Sequence, residues 1–270
     1  MKQNCNDKTA KVRYNHSIRY MDYLFDESKV HELLTYSTDK RLHIMKALSS
    51  LSKFCGKNDE WKLILKKYNI TWSTANTTAG EYNLMFDNVF NNGYLHMIEE
   101  VRKLIRLLKP LGKSNIILFN VLTGLRPQEA IDSYNLLLSE KRDFYLSENK
   151  KLLQHYKYPD LFFRRTKKAF ISIINDNILS LAGENKTPPL TYNSLRLFTN
   201  RNKEQFKMSY CRKIFATFLR NEGVELEIID LLQGRSPTSV FARHYYRPPM
   251  EKFENIRNKL SKLYNMINEK

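Results

Sequence analysis

Apolar residues in this chain recur with the period of a helix along most of its length, and that pattern limits the fold more than any other feature. Leu42, Met45, Leu48, Leu51 and Phe54 stand three apart, and Trp61, Leu65 and Tyr68 continue the spacing. Residues so placed fall along one side of a helix of 3.6 residues per turn. Strand-like alternation is absent from this part of the chain, and lysines and arginines occupy the other faces. The stretch STANTTAG at 73–80 offers little to bury and few stiff side chains, so it is the expected linker. The 270 residues therefore divide into a basic helical domain at 1–72, the linker, and a larger domain at 81–270. Two domains agree with the usual domain size of roughly 100 to 200 residues.

In the larger domain, YLHMIEEVRKLIRLL at 94–108 is helical by period, and SNIILFNVLTGL at 114–125 is an apolar helix that Ser114 is placed to cap. The segment LFFRRTKKAFISII at 161–174 differs: two aromatic and β-branched runs flank the basic centre RRTKK. A short β-hairpin with a lysine-rich tip is expected there. CRKIFATFLRNEG reads as a helix stopped by Gly223, and ELEIIDLLQG as one stopped by Gly234. Phe253, Ile256, Leu260, Leu263 and Ile267 form the stripe of a last amphipathic helix. The fold class is mainly α with a small β-hairpin.

Lys and Arg number 45 against 28 Asp and Glu, a net charge of +17. An excess of that size favours a polyanionic partner, because displacing condensed counterions from nucleic acid is a strong source of affinity. Cys5, Cys55 and Cys211 stand far apart with no CxxC pair, so neither a disulfide framework nor a zinc site is suggested. The N-terminus MKQNCNDKTAKVRYNHS lacks the apolar segment of a signal peptide, and no apolar run reaches the roughly 18 to 20 residues that span a bilayer. An intracellular, reduced protein of the cytoplasm or nucleoid, without a membrane partner, is expected.

The word TGLRPQEA at 123–130 sets Arg126 after a tight Gly turn at the end of an apolar helix. Alone, it describes a surface arginine beside a helix that starts at Pro127. Further along come CRKIFATFLRNEGVELEIIDLLQGR, with Arg212 and Arg235, and then SVFARHYYRP, with Tyr245 ten residues after Arg235. This ordered set, an Arg in TGLRxxEA, a hairpin Lys, an RKxFAT helix, a Gly followed by a third basic residue and then Tyr, resembles the catalytic domain of tyrosine recombinases. QGR in place of the more usual Gly-His pair, together with HYYRP, is similar to the integrases of archaeal viruses and plasmids. The resemblance covers residues 81–250; for residues 1–72 it is architectural, matching the helical core-binding domain that lies N-terminal to the catalytic domain in such enzymes.

The resemblance implies that Tyr245 is the nucleophile of a phosphodiester cleavage and that Arg126, Arg212 and Arg235 hold the phosphate. Guanidinium groups grip non-bridging oxygens bidentately, which a lysine does less well. A phenol with a reference pKa of about 10 needs such a cationic field to become a nucleophile. A hairpin lysine would protonate the leaving 5′ oxygen, Lys167 in preference to Lys168 because it falls at the end of the first strand, where the family has its lysine. Glu129, in the RxxE position, is placed to orient an arginine. One position departs from the pattern: three residues before Arg212, where the family usually has His and sometimes Lys, stands Ser209. Ser209 shares a helix face with Arg212 but is no efficient base. Lys207 could serve only if the helix begins after it, and His244 adjoins the tyrosine but points elsewhere in regular structure. Arg164, Arg165, Lys213 and Arg243 are candidate DNA contacts.

The implied partner is double-stranded DNA. The implied assembly is a homo-tetramer on paired sites that exchanges the last helix, or a monomer without DNA in which that helix packs on its own domain. Neither a metal nor a cofactor is expected, since a phosphotyrosyl bond conserves the energy of the cleaved diester. Type IB topoisomerase-like relaxation and a non-catalytic DNA-binding protein are the alternatives.

Overall fold

The computed structural model describes residues 7–72, 93–164, 167–183, 190–202, 208–235, 245 and 247–268. The chain divides into two compact units, Met1–Asn91 and Asn92–Lys270, each with its own hydrophobic core. The expected linker at 73–80 lies outside the described residues.

The first unit contains α1 (Asp7–Tyr20), α2 (Thr38–Phe54) and α3 (Asn58–Lys67), with 3-10 turns at Met21–Leu24 and Glu27–Thr35. Its core gathers Tyr20, Val30, Leu33, Ile44, Met45, Leu48, Trp61 and Leu65. The buried Trp61 indole keeps its N–H satisfied by donating to Ser49 Oγ at 2.9 Å. The buried face of α2 runs through Arg41, Ile44, Met45, Ala47, Leu48 and Ser52. Only Met45 and Leu48 of the expected stripe sit fully on it, and Phe54 is 87% exposed. A strict three-residue spacing slips by about 60° per step at 3.6 residues per turn, so the run from Leu42 to Phe54 winds off the core face.

The second unit is built around α5 (Ser114–Thr123), all of whose residues are buried. A helix apolar on every side belongs in the middle of a domain. Around it pack α4 (Tyr94–Leu108), α6 (Pro127–Leu137), α7 (Asp176–Gly183), α9 (Ser209–Asn221) and α11 (Met250–Asn268). Two further helices are α8 (Tyr192–Arg201) and α10 (Leu226–Leu232). Ser114 is the first residue of α5 rather than its cap, and its hydroxyl donates to Asn115 Oδ1 at 3.4 Å. The helix stops two residues before the expected end, at Gly124, whose φ of +62° lets it close the last turn. A Cβ there would collide with the Phe215 ring of α9.

Two small antiparallel sheets sit on this bundle. One has the order β1 (Leu146–Ser147), β2 (Leu152–Leu153) and β5 (Ser172–Ile173), with Leu146 opposite Leu153 and Leu152 opposite Ile173. The other is the expected hairpin, reduced to β3 (Phe163–Arg164) and β4 (Lys167–Lys168). Two details differ from the sequence expectation. Lys167 opens the second strand, opposite Arg164, instead of ending the first. Ser172–Ile173 leaves the hairpin for the other sheet, because Ala169 N–H bonds to Phe162 O and so closes the hairpin just past Lys168.

A buried run of polar side chains ties α6 to these strands. Ser133 Oγ and Tyr145 Oη are 2.7 Å apart, Tyr145 Oη and His155 Nδ1 2.5 Å, and His155 Nε2 and Ser172 Oγ 2.8 Å. His155 is fully buried with no carboxylate among these partners, and burial lowers its pKa to about 3.

The stripe of α11 is buried against its own unit: Phe253, Ile256, Leu260, Leu263 and Ile267 all belong to the core around α5. Polar ties reinforce it. Lys252 pairs with Glu225, Lys259 Nζ donates to Glu222 O at 2.7 Å, and Arg102 Nη2 donates to Met266 O at 2.5 Å. Among the described residues no helix is long and apolar enough to cross a membrane.

Two outcomes are expected. Gly124→Ala should cost about 2 to 5 kcal/mol in urea unfolding, from the left-handed backbone and the clash with Phe215. His155 has a folded pKa of about 3 against 6.5 for the free side chain. The unfolded state therefore binds the proton first, and stability present above pH about 6.5 is lost as pH falls toward 3, by at most about 1.4 kcal/mol per pH unit. Replacing it, as in His155→Gln, should remove one proton from that pH slope, as read from denaturation midpoints between pH 4 and 7.

Candidate functional site

Two glycine turns form the frame of the site. The first, at Gly124, joins α5 to α6, and the second, Gln233–Gly234, follows α10. Gly234 has φ +61°, and a Cβ on it would lie 2.7 Å from Ala169 N and 2.8 Å from the Lys168 carbonyl carbon. Only glycine allows this turn to lie against the end of β4. The turn at Gly124 is likewise pressed onto α9 by Phe215.

Three arginines converge on this frame. Arg126 stands at the N-terminal boundary of α6, ahead of Pro127, whose fixed φ suits a first helical position. Glu129, one turn on and fully buried, accepts from Arg126 N–H at 3.2 Å and from Nη1 at 2.8 Å. Arg126 Nη2 then donates to Gly234 O at 3.2 Å. Arg212, in the first turn of α9, donates through Nη1 to Gly124 O at 3.0 Å and through Nη2 to Gln233 O at 2.7 Å. Arg235 directly succeeds the second turn, is exposed, and pairs with Asp230 at 3.0 Å. Thus one guanidinium spans both turns, and a second crosses from α6 to the Gly234 turn.

The electrostatics single out Arg212. Arg126 and Arg235 each have a carboxylate partner, whereas among the described residues Arg212 bonds only to carbonyl oxygens. Burial, then the charges of Arg126 and Arg235, pushes its pKa down to about 10; Glu129 and Asp230 offset this in part. A guanidinium with five N–H donors that spends two on carbonyls keeps the others for an anion, and its charge is not cancelled locally. Such a cluster favours an anion.

The other residues singled out by the sequence are more scattered. Lys168 is exposed, and its carbonyl carbon lies next to the Gly234 turn; Lys167 and Arg164 pair across the hairpin, described by their backbones. Ser209 is exposed and is the first residue of α9, one turn before Arg212. Lys213 is exposed, with its Nζ 5.7 Å from the centre of the Tyr210 ring. Tyr245 is 71% exposed, and among the described residues it makes no hydrogen bond to the three arginines. Arg165, Lys207, Arg243 and His244 lie outside the described residues.

Sequence reasoning gave no role to Gln233, Phe215 or Asp230. Gln233 is fully buried and donates from Nε2 to Arg212 O at 2.8 Å, the return half of its contact with that residue. In the sequence it opens the word QGR, as a carboxamide between an apolar helix end and a glycine.

No curated protein matches the chain. A family model described as archaeal phage integrase matches residues 93–255, the span that holds both glycine turns and the three arginines. This match takes in more than half of the 270 residues, and the chain belongs to the archaeal phage integrase family.

Proposed function

We propose that the protein is a site-specific DNA recombinase that cuts and rejoins DNA through a 3′-phosphotyrosyl intermediate, integrating or excising a mobile element. The observation that carries the reading is the convergence of Arg126, Arg212 and Arg235 on the Gly124 and Gly234 turns, with Arg212 bonded to no carboxylate among the described residues. Donors fixed before the substrate arrives stabilise the charge that develops on a phosphorane more than mobile ones do.

In the proposed reaction the Tyr245 oxygen attacks phosphorus, and the bond from phosphorus to the 5′ oxygen breaks. The guanidiniums neutralise the non-bridging oxygens, and Lys167 or Lys168 gives a proton to the leaving oxygen. The adjacency of β4 to the Gly234 turn supports a lysine donor at this place. Attack of a 5′ hydroxyl on the phosphotyrosine reverses the step and releases Tyr245. The five residue steps from Tyr245 to Met250 span at most about 18 Å, so the docked α11 holds the nucleophile on a short tether. Exchange of α11 between protomers of a tetramer on paired sites requires Lys252 and Lys259 to leave Glu225 and Glu222.

A suicide substrate, nicked so that the cleaved fragment diffuses away, tests the reading. Wild type should accumulate a covalent protein–DNA adduct, Tyr245→Phe none, and Arg126→Ala about 10²- to 10³-fold less rapidly than wild type. Adduct from Tyr245→Phe but not from Tyr246→Phe would move the nucleophile by one position. Binding without any adduct supports a non-catalytic protein. Relaxation of plasmids lacking specific sites supports a topoisomerase.

A further inference from the structure

Within the proposed reaction, and resting on it, the geometry points to Gln233 as a positioning residue that sets the orientation of Arg212. The two residues are joined in both directions. Arg212 Nη2 donates to the main-chain oxygen of Gln233 at 2.7 Å, and Gln233 Nε2 donates to the main-chain oxygen of Arg212 at 2.8 Å. One bond holds the tip of the arginine and the other holds the backbone that bears it. Together they fix a long side chain at both ends, which a single contact to the guanidinium would not do.

The location makes the arrangement consequential. Gln233 is fully buried, and the next residue, Gly234, receives Arg126 Nη2 and lies against the end of β4. A shift of the Gln233 carboxamide therefore moves Arg212 relative to the turn on which Arg126 also rests. Gln233 is neutral, so it restrains Arg212 without cancelling the charge that a phosphate needs. A carboxylate in its place has no N–H to give to Arg212 O and would set a negative charge near the guanidinium. Gln233 Oε1 is buried with no hydrogen-bond partner among the described residues. Leaving a buried acceptor unpaired is unfavourable, a cost that a plain apolar side chain at 233 would not carry. The carboxamide is there for the bond that its nitrogen makes.

The test tracks adduct formation on the suicide substrate at saturating DNA and the DNA concentration at half-saturation. Gln233→Met should slow adduct formation about 10- to 100-fold while leaving half-saturation within about twofold and the thermal midpoint within a few degrees. Gln233→Glu, closer in shape, should be slower than Gln233→Met, because its carboxylate loses the same bond, repels Arg212 O and offsets the charge of the guanidinium. In an Arg212→Lys background, Gln233→Met should cost no more than about a further twofold, because the group being positioned is already gone. Full additivity of the two substitutions overturns the inference, as does a Gln233→Met enzyme of wild-type rate or one whose rate falls only in step with its thermal midpoint. If the wild type forms no adduct, the proposed function fails and takes this inference with it. A wild type that forms one, beside a fully active Gln233→Met, overturns the inference alone.

Discussion

The Arg212 guanidinium bridges Gly124 O and Gln233 O, and most of the second unit is arranged so that this bridge can form. Each turn depends on a glycine with positive φ pressed against a neighbour, Gly124 on Phe215 and Gly234 on Ala169. Those contacts bring the end of α5, the start of α9 and the exit of α10 to one place. A partly buried cation held by neutral carbonyls is costly to desolvate, and the lowered pKa of Arg212 expresses that cost. Packing around α5 offsets it, since the core helix and the helices on it supply the apolar burial. The site is thus charged in advance of any substrate, and the fold maintains the charge.

The two other arginines are held differently. Arg126 and Arg235 have Glu129 and Asp230, which fix their tips and reduce the local positive field. Glu129 is fully buried, and its double contact with Arg126 makes it an orienting group rather than one that faces a ligand. Asp230 pairs with an exposed arginine, where an ion pair contributes little to stability. One carboxylate-free arginine between two paired ones lets the cluster persist without substrate and still favour an anion at its centre.

Much of this arrangement was legible in the sequence because it rests on local rules. The stops at Gly223 and Gly234, the helices they end, and the stripe of α11 derive from periodicity and cap chemistry, and all are found. The placement of Glu129 beside Arg126 derives from i, i+3 geometry. Where the reading erred, a nonlocal contact or accumulated phase decided. Phe54 continues the spacing from Leu42 but has wound away from the core, and Ser172–Ile173 belongs to a sheet whose other strands start at Leu146. Gln233 escaped notice because its role depends on a residue 21 positions away, and no local pattern encodes that pairing.

The place where a phosphate diester binds decides whether the arginine cluster is the reaction centre. The most direct measurement is a crystal structure of Tyr245→Phe with a duplex carrying its cleavage site. One phosphate is predicted to have its non-bridging oxygens within hydrogen-bond distance of Arg126, Arg212 and Arg235, with Arg212 still bonded to Gly124 O and Gln233 O. A scissile phosphate lying away from Arg212, or an Arg212 that releases both carbonyls to reach it, would contradict that prediction.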